Sequence, residues 1–127
     1  MPPKKILVVD DDKEFLEELK ETLILNGYDV VGMSESAPAL KIARAVSPDL
    51  VLLDLKMNEV SGFEIADGLR RMVETSHVPV IAMTGFYTLK EHSWLMNFCD
   101  IKKCLKKPFS PLEVISEIKL ALEGEGR

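Results

Sequence analysis

Leu50-Val51-Leu52-Leu53-Asp54-Leu55-Lys56-Met57-Asn58-Glu59-Val60-Ser61-Gly62 is the stretch that decides the fold. Four apolar residues run into one carboxylate, and a polar loop closing on glycine follows. An apolar run of this length, bounded by turn signals, is the pattern of a strand buried on both faces. A carboxylate ending such a strand belongs at an open sheet edge. In open parallel α/β sheets, ligands and chemistry gather outside the C-terminal ends of the strands. Asp54 is therefore the residue against which the rest of the chain is read.

Upstream, Ile6-Leu7-Val8-Val9 is a second buried run, and it ends in Asp10-Asp11-Asp12. Asp12 is best placed to cap the next helix. From Lys13 to Leu25, Phe15, Leu16, Leu19, Leu23 and Ile24 recur at helical spacing among charged residues. Asn26-Gly27 stops that helix. Val30 and Val31 mark a strand from Asp29 to Met33. Ser36 is expected to cap a second helix reaching about Val46, with Pro38 in its first turn. Ser47-Pro48-Asp49 then breaks the chain and delivers the Asp54 strand.

Downstream, a third helix is predicted from Gly62 to about Glu74, with Phe63, Ile65, Ala66, Leu69 and Met72 as its apolar side. Pro79 to Thr84 reads as a fourth strand, followed by Gly85. Thr88 to about Phe98 is predicted as a weak helix carrying Leu89, Trp94, Leu95 and Phe98. Lys103 to Lys106 is a short fifth strand ending at Lys107-Pro108. Ser110-Pro111-Leu112-Glu113 opens the last helix with a Ser cap, Pro first and Glu third, the pattern of a capping box. It is expected to run to about Glu123. Strands alternating with helices five times over imply a (βα)5 α/β fold, a parallel sheet with helices on both faces.

Composition narrows the function classes. The 127 residues suit a single domain spanning 1–127, with a core of about 5–123. Hydrophobic residues make up 46% and charged residues 29%, ordinary globular usage. A net charge of -5 argues against direct binding to nucleic acid or an anionic membrane, since both need a basic footprint. No apolar run is long enough to span a bilayer. Cys99 and Cys104 form no disulfide framework and no CxxC, so a reducing cytoplasm is the simplest location, and both cysteines read as small hydrophobes.

Four of the five predicted strands end on a polar group: Asp10-Asp11, Asp54, Thr84 and Lys107. Taken singly, each has a bland explanation as a turn former, a cap or a surface residue. If the four strands are adjacent, about 4.8 Å apart, they bring three carboxylates, a hydroxyl and an ammonium to one place. Three clustered carboxylates repel one another, and a hard divalent cation such as Mg²⁺ removes that conflict. Asp10 and Asp11 thus read as metal ligands. Asp54 reads as both a ligand and a carboxylate nucleophile towards a phosphoryl group. Lys107 supplies a fixed cation and Thr84 a hydroxyl hydrogen bond, the positioning and charge neutralisation that phosphoryl transfer requires.

These residues, in this order, resemble the receiver domain of two-component response regulators, a CheY-like family. The features are Val8-Val9-Asp10-Asp11, Leu52-Leu53-Asp54 with Met57 and Gly62, Ala82-Met83-Thr84-Gly85, and Lys107-Pro108-Phe109. The resemblance covers nearly the whole chain. It implies a flavodoxin-like doubly wound sandwich with strand order 2-1-3-4-5. It implies that Asp54 accepts a phosphoryl group from a phosphohistidine on a sensor histidine kinase or histidine phosphotransfer protein. Mg²⁺ would be held by Asp10, Asp11, Asp54 and the backbone carbonyl of Lys56, and Thr84 and Lys107 would contact the phosphoryl group. The resulting switch would remodel the face built from the fourth helix, fifth strand and fifth helix, and so control an output protein or domain. Such a receiver promotes its own phosphorylation and dephosphorylation and turns over no separate substrate.

This chain departs from the family pattern in three places. Asn58 follows Met57 where many receivers have Pro, and Cys104 stands where most carry an aromatic ring that swings inward on activation. Lys56 and Phe86 occupy the positions two beyond Asp54 and two beyond Thr84 that tune phosphoryl lifetime. Neither orients an attacking water well, so slow self-dephosphorylation is expected. The alternative is a pseudo-receiver, an interaction module independent of phosphorylation, which Cys104 favours slightly and the five site residues oppose. An aspartyl-phosphate hydrolase would need a second carboxylate where Lys56 stands. A flavin binder would need a phosphate-cradling loop where Asp10, Asp11 and Asp12 stand.

Overall fold

The computed structural model describes residues 2–85, 97 and 100–125. Within them the apolar runs form five parallel strands: β1 (Lys5–Val9), β2 (Asp29–Met33), β3 (Leu50–Asp54), β4 (Val80–Thr84) and β5 (Lys103–Lys106). They lie in one sheet in the order β2-β1-β3-β4-β5, as expected. Four helices are described: α1 (Lys13–Leu25), α2 (Ala39–Val46), α3 (Gly62–Arg71) and α4 (Pro111–Glu125). The weak helix predicted over 88–98 falls almost wholly outside the described residues.

Successive side chains of a strand point to opposite faces, and the central strands are apolar on both. On one face Leu7, Val9, Val51, Leu53, Val80 and Ala82 meet Ala39 and Ala43 of α2 and Ile65, Ala66 and Leu69 of α3. On the other, Ile6, Val8, Leu50, Leu52, Ile81, Met83 and Leu105 meet Leu16, Leu19 and Leu23 of α1 and Val114, Ile115 and Ile118 of α4. Burial on both faces is why these strands read as unbroken apolar runs rather than as alternation.

Local signals set most helix ends. Asp12 Oδ1 accepts the Phe15 N–H at 3.1 Å, and Ser110 Oγ accepts the Glu113 N–H at 3.1 Å, so both expected caps are present. Gly27 takes φ 90, and its N–H closes on the Ile24 carbonyl, as a left-handed C-terminal cap should. Three expectations need correction. Ile24 is 55% exposed and lies outside the core. α3 ends at Arg71 rather than near Glu74, and the Thr75 hydroxyl donates to the Leu69 carbonyl at 2.7 Å just beyond that end. α2 starts at Ala39, with Pro38 before it and no side-chain cap. Ser36 does not cap it, because its buried hydroxyl accepts the Val60 N–H at 2.9 Å instead.

Chain direction across the sheet reverses between β1 and β3, since β2 lies on one side of β1 while β3, β4 and β5 follow on the other. Such a reversal opens a crevice at the C-terminal ends of the two strands, where the flanking connections pass to opposite faces. Asp10 and Asp54 stand at its two lips.

Candidate functional site

The acidic lip is built first by β1. Its apolar residues carry the chain into the core, and Asp10 follows with its side chain fully buried. The Asp10 N–H extends the β1–β2 ladder by donating to the Met33 carbonyl at 3.0 Å, which fixes the backbone. Of its two carboxylate oxygens, Oδ1 accepts the Asp12 N–H at 3.0 Å and Oδ2 receives Lys107 Nζ at 2.6 Å. Asp11 is half-buried beside it.

β3 delivers Asp54 across the crevice, nearly buried. Gly62 then closes the loop behind it: the Gly62 N–H donates to the Leu55 carbonyl at 3.1 Å, and a Cβ at Gly62 would strike the Asp54 carbonyl and the Leu55 backbone. Only glycine lets the first turn of α3 sit this close beneath the strand end. Ser61 caps that turn by accepting the Glu64 N–H at 3.2 Å. The Ser61-x-x-Glu64 spacing is the sequence signal of this cap. The Lys56 N–H reaches back to Asp54 Oδ1 at 3.3 Å, so the peptide after Leu55 lies against the carboxylate.

Thr84 ends β4 and is buried. In the ladder Asp54 pairs with Met83 and Thr84 with Lys106, which sets Thr84 at the same edge one step further on. Its carbonyl accepts the Lys107 N–H at 2.9 Å, tying the start of the Lys107-Pro108 segment to β4. The Lys107–Pro108 peptide is cis. From there the Lys107 side chain runs into the acidic cluster, with Nζ 3.8 Å from Asp54 Oδ2 as well as 2.6 Å from Asp10. Phe86 and Cys99 fall outside the described residues.

The carboxylate oxygens of Asp10, Asp11 and Asp54 can all lie within 4.8 Å of one another, so this acidic pocket could hold a metal ion. One ammonium cannot balance three carboxylates. Burial first, and then the Asp10 charge, push the Asp54 acid up from 3.8 to about 6, against the opposing pull of Lys107 and the Lys56 N–H. The donor set suits a hard divalent cation: oxygen ligands only, surplus negative charge, and an ammonium already drawn to the spot.

Five of the six expected site residues, Asp10, Asp11, Asp54, Lys56 and Lys107, are thus in mutual contact or within the carboxylate cluster, and Thr84 is at the same edge. One neighbour was not anticipated. The Phe15 ring, expected only as part of the apolar stripe of α1, lies under the Lys107 ammonium, 4.0 Å from Nζ to the ring centroid. The other switch-related position, Cys104, is half-buried against the cluster that α2 and α3 cover, and burial pushes its thiol up.

An open parallel sheet of this order, with acids at the crevice and a lysine beyond the last strand, defines a class of flavodoxin-like domains. The chain belongs to the response regulator receiver domain family, whose model matches residues 6–119. It is 31% identical over 117 residues to the polar-differentiation response regulator DivK of Brucella anthropi, covering 92% of this chain and 94% of that one. It is 30% identical to DivK of Brucella ovis over 116 residues, covering 91% and 94%. Among solved structures, a CheY-like receiver domain protein from Methanospirillum hungatei superposes with a TM-score of 0.91 at 26% identity, covering 98% of this chain and 97% of that one. Chemotaxis protein CheY4 of Vibrio cholerae has a TM-score of 0.88 at 24% identity, covering 94% and 98%, a likeness of fold.

Proposed function

We propose that this chain is a single receiver domain that takes a phosphoryl group onto Asp54 from a phosphohistidine of a sensor histidine kinase or histidine phosphotransfer protein. The observation that carries the reading is the setting of Asp54. It is a nearly buried carboxylate at a strand end, within reach of two further carboxylates and one ammonium.

In the metal-free site the pKa of Asp54 is raised to about 6, so the carboxylate is ionised at neutral pH. An Asp54 oxygen attacks phosphorus, the O–P bond forms, and the N–P bond of the phosphohistidine breaks with its electron pair leaving on the imidazole nitrogen. Asp10, Asp11, Asp54 and the Lys56 carbonyl would hold Mg²⁺, whose charge when bound offsets that of the phosphoryl oxygens. Lys107 approaches those oxygens from its place 3.8 Å from Asp54 Oδ2. Thr84 donates a hydroxyl hydrogen bond from the end of β4. The added charge then biases a two-state element, the usual logic of a phosphorylation switch. Its output acts on a partner protein or domain, in the cytoplasm. With Lys56 two positions beyond Asp54 in the sequence and Phe86 two beyond Thr84, the acyl phosphate is long-lived.

The test is the intact mass of the protein after incubation with acetyl phosphate, with and without Mg²⁺, beside Asp54→Asn. Wild type should gain one phosphoryl group only with Mg²⁺, and the variant none. No gain by wild type, together with no response to beryllofluoride and Mg²⁺, would leave a phosphorylation-independent interaction module. Half-buried Cys104, in place of the usual aromatic, is the observation that favours that second reading.

A further inference from the structure

The Lys107 ammonium is held from two sides. Asp10 Oδ2 at 2.6 Å and Asp54 Oδ2 at 3.8 Å draw it into the crevice, while the face of Phe15, 4.0 Å to the centroid, draws it from the α1 side. Phe15 is fixed twice. Its backbone N–H donates to Asp12 Oδ1, in the loop that carries Asp10 and Asp11. The ring also stands perpendicular to Phe109, with centroids 5.7 Å apart and planes at 88°, and Phe109 lies two residues beyond Lys107. Both segments that supply charge to the site therefore also locate this ring.

We propose that Phe15 is a positioning residue for the phosphoryl chemistry: its ring face seats the Lys107 ammonium, so that Lys107 can exchange Asp10 for a phosphoryl oxygen without leaving the site. The inference rests on the receiver reading given above.

In the resting site Lys107 occupies an oxygen of Asp10, a carboxylate also needed to hold a divalent cation. The ammonium must let go of that oxygen and turn towards the phosphoryl group. A carboxylate binds it directionally and strongly. The ring face attracts it over a broad area with no hydrogen bond to break, so the ammonium can slide across it. Without the ring, the carboxylates alone set its position, and it stays on Asp10. A leucine would fill the same space in α1 but offers no quadrupole, which separates this role from simple packing.

The test compares wild type, Phe15→Leu and Phe15→Tyr. The ε-methylene protons of Lys107, assigned by their loss in Lys107→Arg, should be shifted upfield by the ring current in wild type and in Phe15→Tyr. In Phe15→Leu they should return to the ordinary lysine position. Mg²⁺ affinity by calorimetry and the rate of phosphorylation by acetyl phosphate should each fall about fivefold in Phe15→Leu, the change expected of one cation–π contact, and recover in Phe15→Tyr. Unshifted Lys107 protons in wild type would overturn the proposal. So would a Phe15→Leu protein, folded by its amide spectrum, that binds Mg²⁺ and phosphorylates at the wild-type level, or a Phe15→Tyr protein that fails to recover. If wild type takes no phosphoryl group from acetyl phosphate and does not respond to beryllofluoride and Mg²⁺, the receiver chemistry itself is wrong. The ring-current shift and the Mg²⁺ affinity, neither of which needs phosphorylation, then still decide the role of Phe15.

Discussion

The two edges of the sheet solve the same problem in opposite ways. At the N-terminal edge, Lys5 and Asp49 close on each other. The Lys5 N–H donates to Asp49 Oδ2 at 2.7 Å, the Asp49 N–H donates to the Lys5 carbonyl at 2.7 Å, and Lys5 Nζ finishes on the Val46 carbonyl at 3.0 Å. The Asp49 carboxylate meets a backbone N–H and the Lys5 ammonium a backbone carbonyl, so each charged group has its own backbone partner. At the C-terminal edge, Asp10, Asp11 and Asp54 share Lys107. The first edge carries one charge of each sign, each hydrogen-bonded to backbone, and contributes stability. The second keeps surplus charge in a buried place, which costs stability and makes a site that could hold a cation.

The contrast can be broken most forcibly at Lys107. In chelator, Lys107→Met leaves fully buried Asp10 without its cation and should destabilise the protein by about 3 kcal/mol, read from urea unfolding. Added Mg²⁺ should recover more stability in the variant than in wild type. Equal recovery would mean that Lys107 and the ion do not share Asp10.

Asp54→Asn should act with the opposite sign. Because the native state raises the Asp54 acid from 3.8 to about 6, it binds that proton more tightly than the unfolded chain does. Stability of metal-free wild type should therefore decline as pH rises through this window, by about 3 kcal/mol, and level off above it. Asp54→Asn should lack the decline and be the more stable protein at pH 7. A wild-type curve parallel to that of the variant would show that Asp54 carries no such strain.

Asp49→Ala tests the closed edge. Loss of the Asp49 carboxylate leaves the Lys5 N–H without its partner and should cost about 1–2 kcal/mol. Mg²⁺ affinity should stay unchanged, since the N-terminal edge takes no part in the acidic site. A change in that affinity would mean that the two edges are coupled through β1 and β3.

The smallest expected effect lies between the edges. Ser36 Oγ holds the Val60 N–H at 2.9 Å, bracing the loop that carries Lys56 and in which Asn58 stands where many receivers have Pro. Ser36→Ala should lower stability by about 1 kcal/mol and weaken Mg²⁺ binding measurably. Unchanged binding would make that hydrogen bond a purely structural link.

Which of these residues could be read in advance followed from how far their partners lie along the chain. Asp12 and Ser110 were legible as caps because each bonds an N–H three residues on. Ser36 looked like the same kind of cap, but its partner is Val60, 24 residues away, and nothing local signals that bond. Phe15 fitted the apolar stripe of α1 so well that a second role was invisible. Asp54 and Thr84 stood out because each ends an apolar strand. Lys107, beyond the lysine-bearing strand Lys103–Lys106, was legible only by its coincidence with the other polar strand ends.

The sequence by itself determined the alternation of strands and helices, the polar strand ends and the residue types a phosphoryl site would need, because periodicity and capping are short-range properties of the chain. Tertiary structure alone decided which of those groups meet. The pairing of Asp10 with Lys107 joins residues 97 positions apart. The pressure on Asp54 exists only once the sheet order has brought β1 beside β3 and buried both strand ends, since desolvation and charge repulsion depend on distance in space rather than along the chain.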